Sequence, residues 1–178
     1  MTNILPLTLV APSAIERLLD AAFGVDRHAR TAYRLRAGVD WIADLSFAAL
    51  AGDVLVGSVQ CWPIALTTPG GETVPLTLLG PVAVDPARQH AGIGQRLTRA
   101  AIAAIRAHAA PPPLLIGDPE YYGRFGFVAA PTAGWDLPGP FEPHRLLLLP
   151  TPGRVLPTAG MVGPRVTMPG FASGVRMA

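Results

Sequence analysis

Val82-Ala-Val-Asp-Pro-Ala-Arg-Gln-His-Ala-Gly-Ile-Gly-Gln-Arg-Leu97 is the stretch that decides the fold. A hydrophobic run enters a polar turn, and two glycines, Gly92 and Gly94, open a new periodicity. From there Ile93, Leu97, Ala101, Ala104, Ile105 and His108 recur on one face, with Gln95, Arg96, Arg99 and Arg106 on another. The pattern predicts a strand running into an amphipathic helix. The first-turn amides of such a helix have no intrahelical acceptor, and the positive end of its dipole points the same way. With no Cβ at positions 92 and 94, a bulky anion can come close to that backbone. The junction therefore predicts a seat for a phosphate or pyrophosphate.

The spacing narrows the anion. A dinucleotide fold calls for a third glycine three residues after Gly94, where Leu97 stands. A Walker loop needs Gly-Lys, and all 14 basic residues are Arg. The lack of Lys also excludes Schiff-base chemistry with pyridoxal phosphate. What is left is Gln89-x-x-Gly92-x-Gly94 after Val82-x-Val84. This resembles the acyl-CoA-binding motif of the GNAT N-acetyltransferase superfamily, [Arg/Gln]-x-x-Gly-x-[Gly/Ala] at a strand–helix junction. Downstream, Tyr121-Tyr122-Gly-Arg-Phe-Gly126-Phe127 matches the family's aromatic-Tyr-x-x-x-Gly-Phe segment. The longer phrase starting at Gly117-Asp-Pro, together with Leu79-Gly80-Pro81-Val82-Ala83-Val84, is similar to the YhbS-like branch of predicted acetyltransferases. The resemblance is closest over residues 78–128 and extends over 14–172.

That resemblance implies an α/β (α+β) fold: a mixed, mostly antiparallel sheet of six to seven strands, with splayed parallel central strands and about four helices. The strand over 78–84 would carry a bulge, which suits Gly80-Pro81, since Pro cannot donate to a neighbour. The pantetheine arm would lie between this strand and the one over 114–116, against Val82, Ala83 and Val84. The amide of Val82, or one close by, would face the thioester oxygen and stabilise charge developing there. The segment Gln89, His90, Ala91, Gly92, Ile93, Gly94 and Gln95 would hold the pyrophosphate. Arg88, Arg96 and Arg99 are alternatives for the outer phosphates, each equally compatible with a solvated helix face. Tyr122 takes the family's general-acid position and Tyr121 the packing position before it. A phenol of pKa about 10 stays protonated at neutral pH and can protonate a leaving thiolate whose thiol has pKa about 8.5.

The activity implied is direct transfer of acetyl from acetyl-CoA, as co-substrate, to a primary amine of a small molecule or peptide, with no metal. No general base is assignable. Asp118 is the first candidate but reads better as a helix N-cap before Pro119; Glu120, Asp40, Asp44 and Glu72 are weaker. The missing carboxylate motivates an alternative, a non-catalytic acyl-CoA-binding or regulatory protein. A third class, an oligomeric scaffold, predicts no CoA binding. Tyr33, Arg34, Arg36, Asp40 and Trp41 fall on the acceptor side, as recognition groups for an anionic substrate or as plain surface.

Working outward, Ser13-Ala-Ile-Glu16 has the form of a capping box, with Ile15, Leu18, Leu19, Ala22 and Phe23 behind it at helical spacing. A weaker helix is expected over 27–36. Residues 45–50 and 54–59 read as a hairpin turning at Ala51-Gly52-Asp53, and 74–84 as the next strand. Pro111-Pro112-Pro113 ends the main helix. Beyond Phe127 only 144–149 looks like a strand. Nine prolines and six glycines over 131–170 predict an irregular C-terminal part, 131–178, of one domain spanning 1–178.

At 178 residues, half of them hydrophobic and 15% charged, the chain can bury a core and is not a disordered polyelectrolyte. A net charge of +2 without an Arg cluster argues against nucleic acid as partner. His28, His90, His108 and His144 are dispersed, with no metal-ligand spacing. One cysteine, Cys61, precludes an intramolecular disulfide and reads as packing more readily than as cleft lining. The N-terminal residues lack the pattern of a signal peptide and no run is apolar enough to span a bilayer, so a cytoplasmic protein that uses no membrane is expected, with homodimerisation left open.

Overall fold

The computed structural model describes residues 2–166. Its centre is one sheet of eight strands: β1 (Thr2–Pro6), β2 (Phe47–Ala51), β3 (Val54–Thr67), β4 (Thr73–Val84), β5 (Pro113–Ile116), β6 (Gly134–Asp136), β7 (Leu146–Leu148) and β8 (Ala159–Pro164). The main path runs β1-β2-β3-β4-β5-β7. All its pairs are antiparallel except β4–β5. β3 is long enough for two neighbours on one edge: its first half pairs with β2, and Ile64–Thr67 pairs with β8. The helices are α1 (Pro12–Phe23), α2 (Thr31–Arg34), α3 (Ile93–Ala107) and α4 (Pro119–Gly123).

The two long helices each bury an apolar stripe. Ile93, Leu97, Ala101 and Ile105 of α3 lie against Val59, Cys61 and Leu79 on one face of the sheet. Ile15, Leu18 and Leu19 of α1 cover Ala48 and Ala83 on the other. Successive strand side chains point to opposite faces, and β4 breaks that alternation once. Cys61 pairs with Leu79 but Val59 with Val82, so Gln60 alone stands opposite Gly80-Pro81. This bulge flips the strand: Leu79 and Val82 both face α3, while Ala83 turns to α1. It falls where the sequence placed it.

Several expectations are corrected. The sheet has eight strands, not six to seven. β1 is a short edge strand whose five residues end at Pro6, too brief for a periodic signal. No capping box forms: Pro12 takes the first helical position, Ala11 is the N-cap without a side-chain bond, and Glu16 turns to Arg27 instead. The expected helix over 27–36 is broken at Arg30, whose extended backbone separates a 3-10 turn at Val25–Ala29 from α2. His108 is the exposed C-cap of α3, not part of its buried face.

The stretch beyond Pro131 is not merely irregular, since β6 and β8 pair there in parallel. Its glycines serve close approach. A Cβ on Gly134 would lie 2.3 Å from the Thr158 carbonyl oxygen, and one on Gly160 would lie 2.6 Å from that of Thr67. Positions 167–178 of the expected C-terminal part lie outside the described residues.

Candidate active site

The parallel pairing of β4 with β5 consists of Thr77 with Pro113 and Leu78 with Leu114. From Leu79 onward the two strands separate, and the bulge sits at the start of the gap. Here the main chain of β4 faces open space instead of a neighbouring strand. A cavity of about 740 Å³ occupies this region. Leu79 to Val82 form one wall and Ile116 to Asp118 the opposite one, with Tyr122 beside them; Arg27, Arg30, Tyr33 and Arg36 close one end.

At the end of β4 the chain makes a 3-10 turn at Pro86–Arg88, capped by the Asp85 carboxylate, which accepts from the Ala87 amide at 3.0 Å. His90 and Gly92 then take left-handed backbone, φ 74° and 70°, and α3 begins. Through this segment the Ala91 amide bonds to Arg88 and the Arg96 amide to Gly92. The amides of Gln89, His90, Gly92, Ile93, Gly94 and Gln95 have no protein acceptor among the described residues. Six unpaired donors at a helix N-terminus are the anion seat in physical form.

The two glycines differ in their reasons. Gly92 opens onto free space and is required by its positive φ, whereas a Cβ on Gly94 would lie 3.1 Å from the Tyr121 hydroxyl. Val82 and Val84 approach Gly94 within 4 Å of that same Cβ position. The fold thus brings together Val82, Val84 and the first turn of α3, as the sequence required. Tyr121, read as packing, sets its hydroxyl over the seat; no feature of spacing distinguishes it from a core aromatic. Ala83 is fully buried under α1 and does not line the cavity, which corrects its place among the residues against the coenzyme.

α4 forms as expected. Asp118 caps it, accepting from the Glu120 amide at 3.0 Å, and Pro119 takes the first position. This presents Tyr122 to the cavity wall, its ring flat against Gly117, where a Cβ would lie 2.4 Å from Cε2. Burial pushes the Tyr122 phenol well above its usual range, with Tyr121 and Asp118 acting in the same direction. Of the arginine candidates, Arg96 donates to the Thr2 carbonyl and Arg99 lies over Phe125, while Arg88 stays exposed on the turn. Glu120 is exposed, Glu72 lies in the β3–β4 turn, and Asp40 borders a separate smaller cavity with Trp41. Cys61 is fully buried on the α3 face, away from the acceptor end.

The arginine-lined part of the cavity is assembled from distant segments. Thr31 Oγ1 donates to the Pro140 carbonyl and Arg34 Nη1 to that of Pro138 at 2.7 Å, which straps residues 138–141 over α2. Arg145 Nε holds the Gly117 carbonyl at 3.3 Å. Arg27, 2% exposed, is bound to Glu16, Asp20 and Tyr33. Burial works against its charge, and those three hydrogen bonds outweigh it, keeping the guanidinium above its usual pKa. Arg36, 8% exposed, lies over the Tyr33 and Trp62 rings at 3.7 and 4.7 Å, and burial lowers its pKa. Among the described residues it has no carboxylate within ion-pair distance. Sequence reasoning named Arg36 only as one of two arginines facing an anion or water; its burial was not readable.

Residues 7–130 match a family described as "Acetyltransferase (GNAT) domain". Among solved structures, a GNAT family acetyltransferase from Brucella melitensis in complex with acetyl-CoA is 26% identical, with a TM-score of 0.62. The match covers 93% of this chain and 96% of that one. The GNAT family N-acetyltransferase YhbS from Escherichia coli in complex with CoA shares the fold at 21% identity and a TM-score of 0.68, over 93% and 89% of the two chains. Eis1 from Mycobacterium abscessus shares it over 73% of this chain and 31% of its own, at 23% identity and a TM-score of 0.53. No curated protein sequence matches. Among the described residues no helix is long and apolar enough to cross a membrane.

Proposed function

Since the chain belongs to the GNAT acetyltransferase family, we propose that it transfers acetyl from acetyl-CoA to a primary amine as one domain spanning residues 1–178. The observation that carries this is the row of unpaired amides between Gln89 and Gln95, next to Val82, which lines the gap between β4 and β5 and lies 3.9 Å from a Cβ placed on Gly94. The diphosphate sits on those amides, and the pantetheine arm runs along the open edge of β4 from Val84 towards Val82. An amide at Val82 donates to the thioester oxygen, where negative charge grows as the amine attacks. The C–N bond forms, the C–S bond breaks, and Tyr122 gives its proton to the departing thiolate. Burial keeps the phenol protonated at neutral pH but makes it a weaker acid than the thiol, so its proton moves in concert with C–S cleavage and loss of the amine's proton draws the reaction forward. The proton of the amine leaves to water or to a carboxylate of the cavity wall. Much of the rate comes from holding the two reactants in line.

Calorimetric titration with acetyl-CoA, followed by thiol release with a panel of primary amines, tests the proposal. Saturable binding and acceptor-dependent thiol release are expected; absence of both would overturn it. One observation favours a second reading. The carboxylates on the cavity wall are Asp118, engaged in capping α4, and Glu142, 3.5 Å from His144. Tight acetyl-CoA binding without release on any amine would assign the chain to non-catalytic acyl-CoA sensing.

A further inference from the structure

The class of acceptor follows from a buried cation without an ion pair and from the unpartnered polar atoms of Ser58, Gln60 and Trp62 along one face of β3, and rests on the acetyl-transfer reading above. Arg36 lines the cavity with 8% of its surface exposed and, among the described residues, no carboxylate within ion-pair distance; only Tyr33 and the more distant Glu16 offset its charge. Nine positions earlier in the chain, Arg27 is neutralised by Glu16 and Asp20, so the shortage is local to Arg36. A desolvated cation without a counter-charge is costly, and a bound anion is the simplest compensation. The planar guanidinium, held flat by Tyr33 and Trp62, matches a carboxylate in shape and charge.

The second group is Gln60. It is 4% exposed, stands opposite the Gly80-Pro81 bulge, and its Oε1 has no hydrogen-bond donor among the described residues. Gln60 and Trp62 share a strand face two residues apart, about 6.6 Å along β3. An acceptor oxygen without a donor thus lies near the bulge, and a cation without an anion lies further towards α2.

We propose that the acceptor is an amino acid or a similar amine bearing a carboxylate. Its carboxylate lies on Arg36 and its amine points towards Gln60 and the bulge, where the thioester carbon is attacked. Arg36 is then the residue that selects the acceptor. A carboxylate can also arrive on the acyl chain of the donor, and the experiment separates the two sources.

Thiol release from acetyl-CoA is measured with glycine, β-alanine and 4-aminobutyrate, each paired with its amide. At least one acid is expected to exceed its amide in kcat/KM by roughly tenfold to a hundredfold, the range for a hydrogen-bonded charge. Arg36→Met should erase that preference through KM, and Arg36→Lys should restore part of it. Amides that match their acids throughout, or a preference that survives Arg36→Met, overturn the proposal. So does a preference for succinyl-CoA over acetyl-CoA with benzylamine that Arg36→Met abolishes, because the carboxylate would then belong to the acyl group.

Binding provides a readout that needs neither turnover nor a folded variant. With CoA present, the N-acetylated acids should raise the Tm of the wild-type protein and the N-acetylated amides should not. Equal shifts count against the carboxylate site. Failure of the acetyl-transfer reading looks different: no heat with acetyl-CoA and no thiol from any amine.

Discussion

The seat and the cavity beside it are built from different materials. The seat at the start of α3 is main chain: six amides without acceptors, set by one turn and two left-handed residues within a dozen positions. The acceptor end is side chain: Arg36 over Tyr33 and Trp62, strapped by residues more than a hundred positions away. A main-chain seat accepts many sequences and recognises a charge common to every acyl-CoA. A side-chain pocket is specific to one kind of partner and is lost with one substitution. On the proposed function, affinity for the coenzyme falls to the first and choice of acceptor to the second.

The largest expected effect is at the main-chain end. Gly92→Glu adds bulk and negative charge among the free amides and forces a left-handed φ on a side chain, at a cost of about 1–2 kcal/mol. Acetyl-CoA affinity should fall more than a hundredfold by calorimetry, about what losing two charge-assisted hydrogen bonds removes. Gly92→Asn, which tolerates that backbone, should stay within a few-fold of wild type. If both variants bind alike, the seat is elsewhere.

Next in size is Tyr122→Phe. It should lower kcat by roughly a hundredfold, the usual contribution of a positioned acid, with acetyl-CoA affinity unchanged. Tyr121→Phe, which removes the hydroxyl over Gly94, should do the reverse: weaker acetyl-CoA binding by a few-fold and an unaltered kcat. Retained kcat in Tyr122→Phe would take the acid role from that residue.

The two buried arginines give a smaller and sharper contrast, read in urea unfolding. Arg27→Met removes the shared partner of Glu16 and Asp20, whose side chains are 55% and 41% exposed. The loss should be about 2 kcal/mol, below the 3–5 of a fully buried pair because water reaches the carboxylates. Arg36→Met should leave stability unchanged or raise it, since it relieves an uncompensated buried charge. Equal losses in the two variants would mean that Arg36 is a structural residue like Arg27.

The same contrast explains what could be read in the sequence. The seat was legible because its cause is local: Gly92, Gly94 and the apolar stripe of α3 lie within one window. The bulge was expected from the family resemblance, with which Gly80-Pro81, unable to maintain a ladder, agrees. The acceptor end was not, because Arg36 meets Trp62 only once β3 is in the sheet, and residues 138–141 reach α2 only in three dimensions. Composition misled twice. Glycines at 134 and 160 suggested loops, whereas they admit the close packing of β6 and β8. Ser13 and Glu16 suggested a cap, but Pro12 had already fixed the helix start and Arg27 claimed the carboxylate.

The last contrast is between the two faces of β3, where Cys61 and Trp62 are neighbours pointing opposite ways. Cys61 is fully buried among apolar side chains under α3, and burial pushes its thiol up from the usual value near 9 to about 12. Between those values the unfolded chain has lost the proton and the folded chain keeps it. The unfolded state therefore binds fewer protons, and stability declines as pH rises, by up to about 1.4 kcal/mol per pH unit from this group. Unfolding in urea from pH 8 to 11 should show this extra slope in wild type and not in Cys61→Ala. Iodoacetamide at pH 8 should label the native thiol slowly, and at the same rate with acetyl-CoA present. Protection by acetyl-CoA would place Cys61 in the cleft and make the α3 face of the strand part of the acyl site.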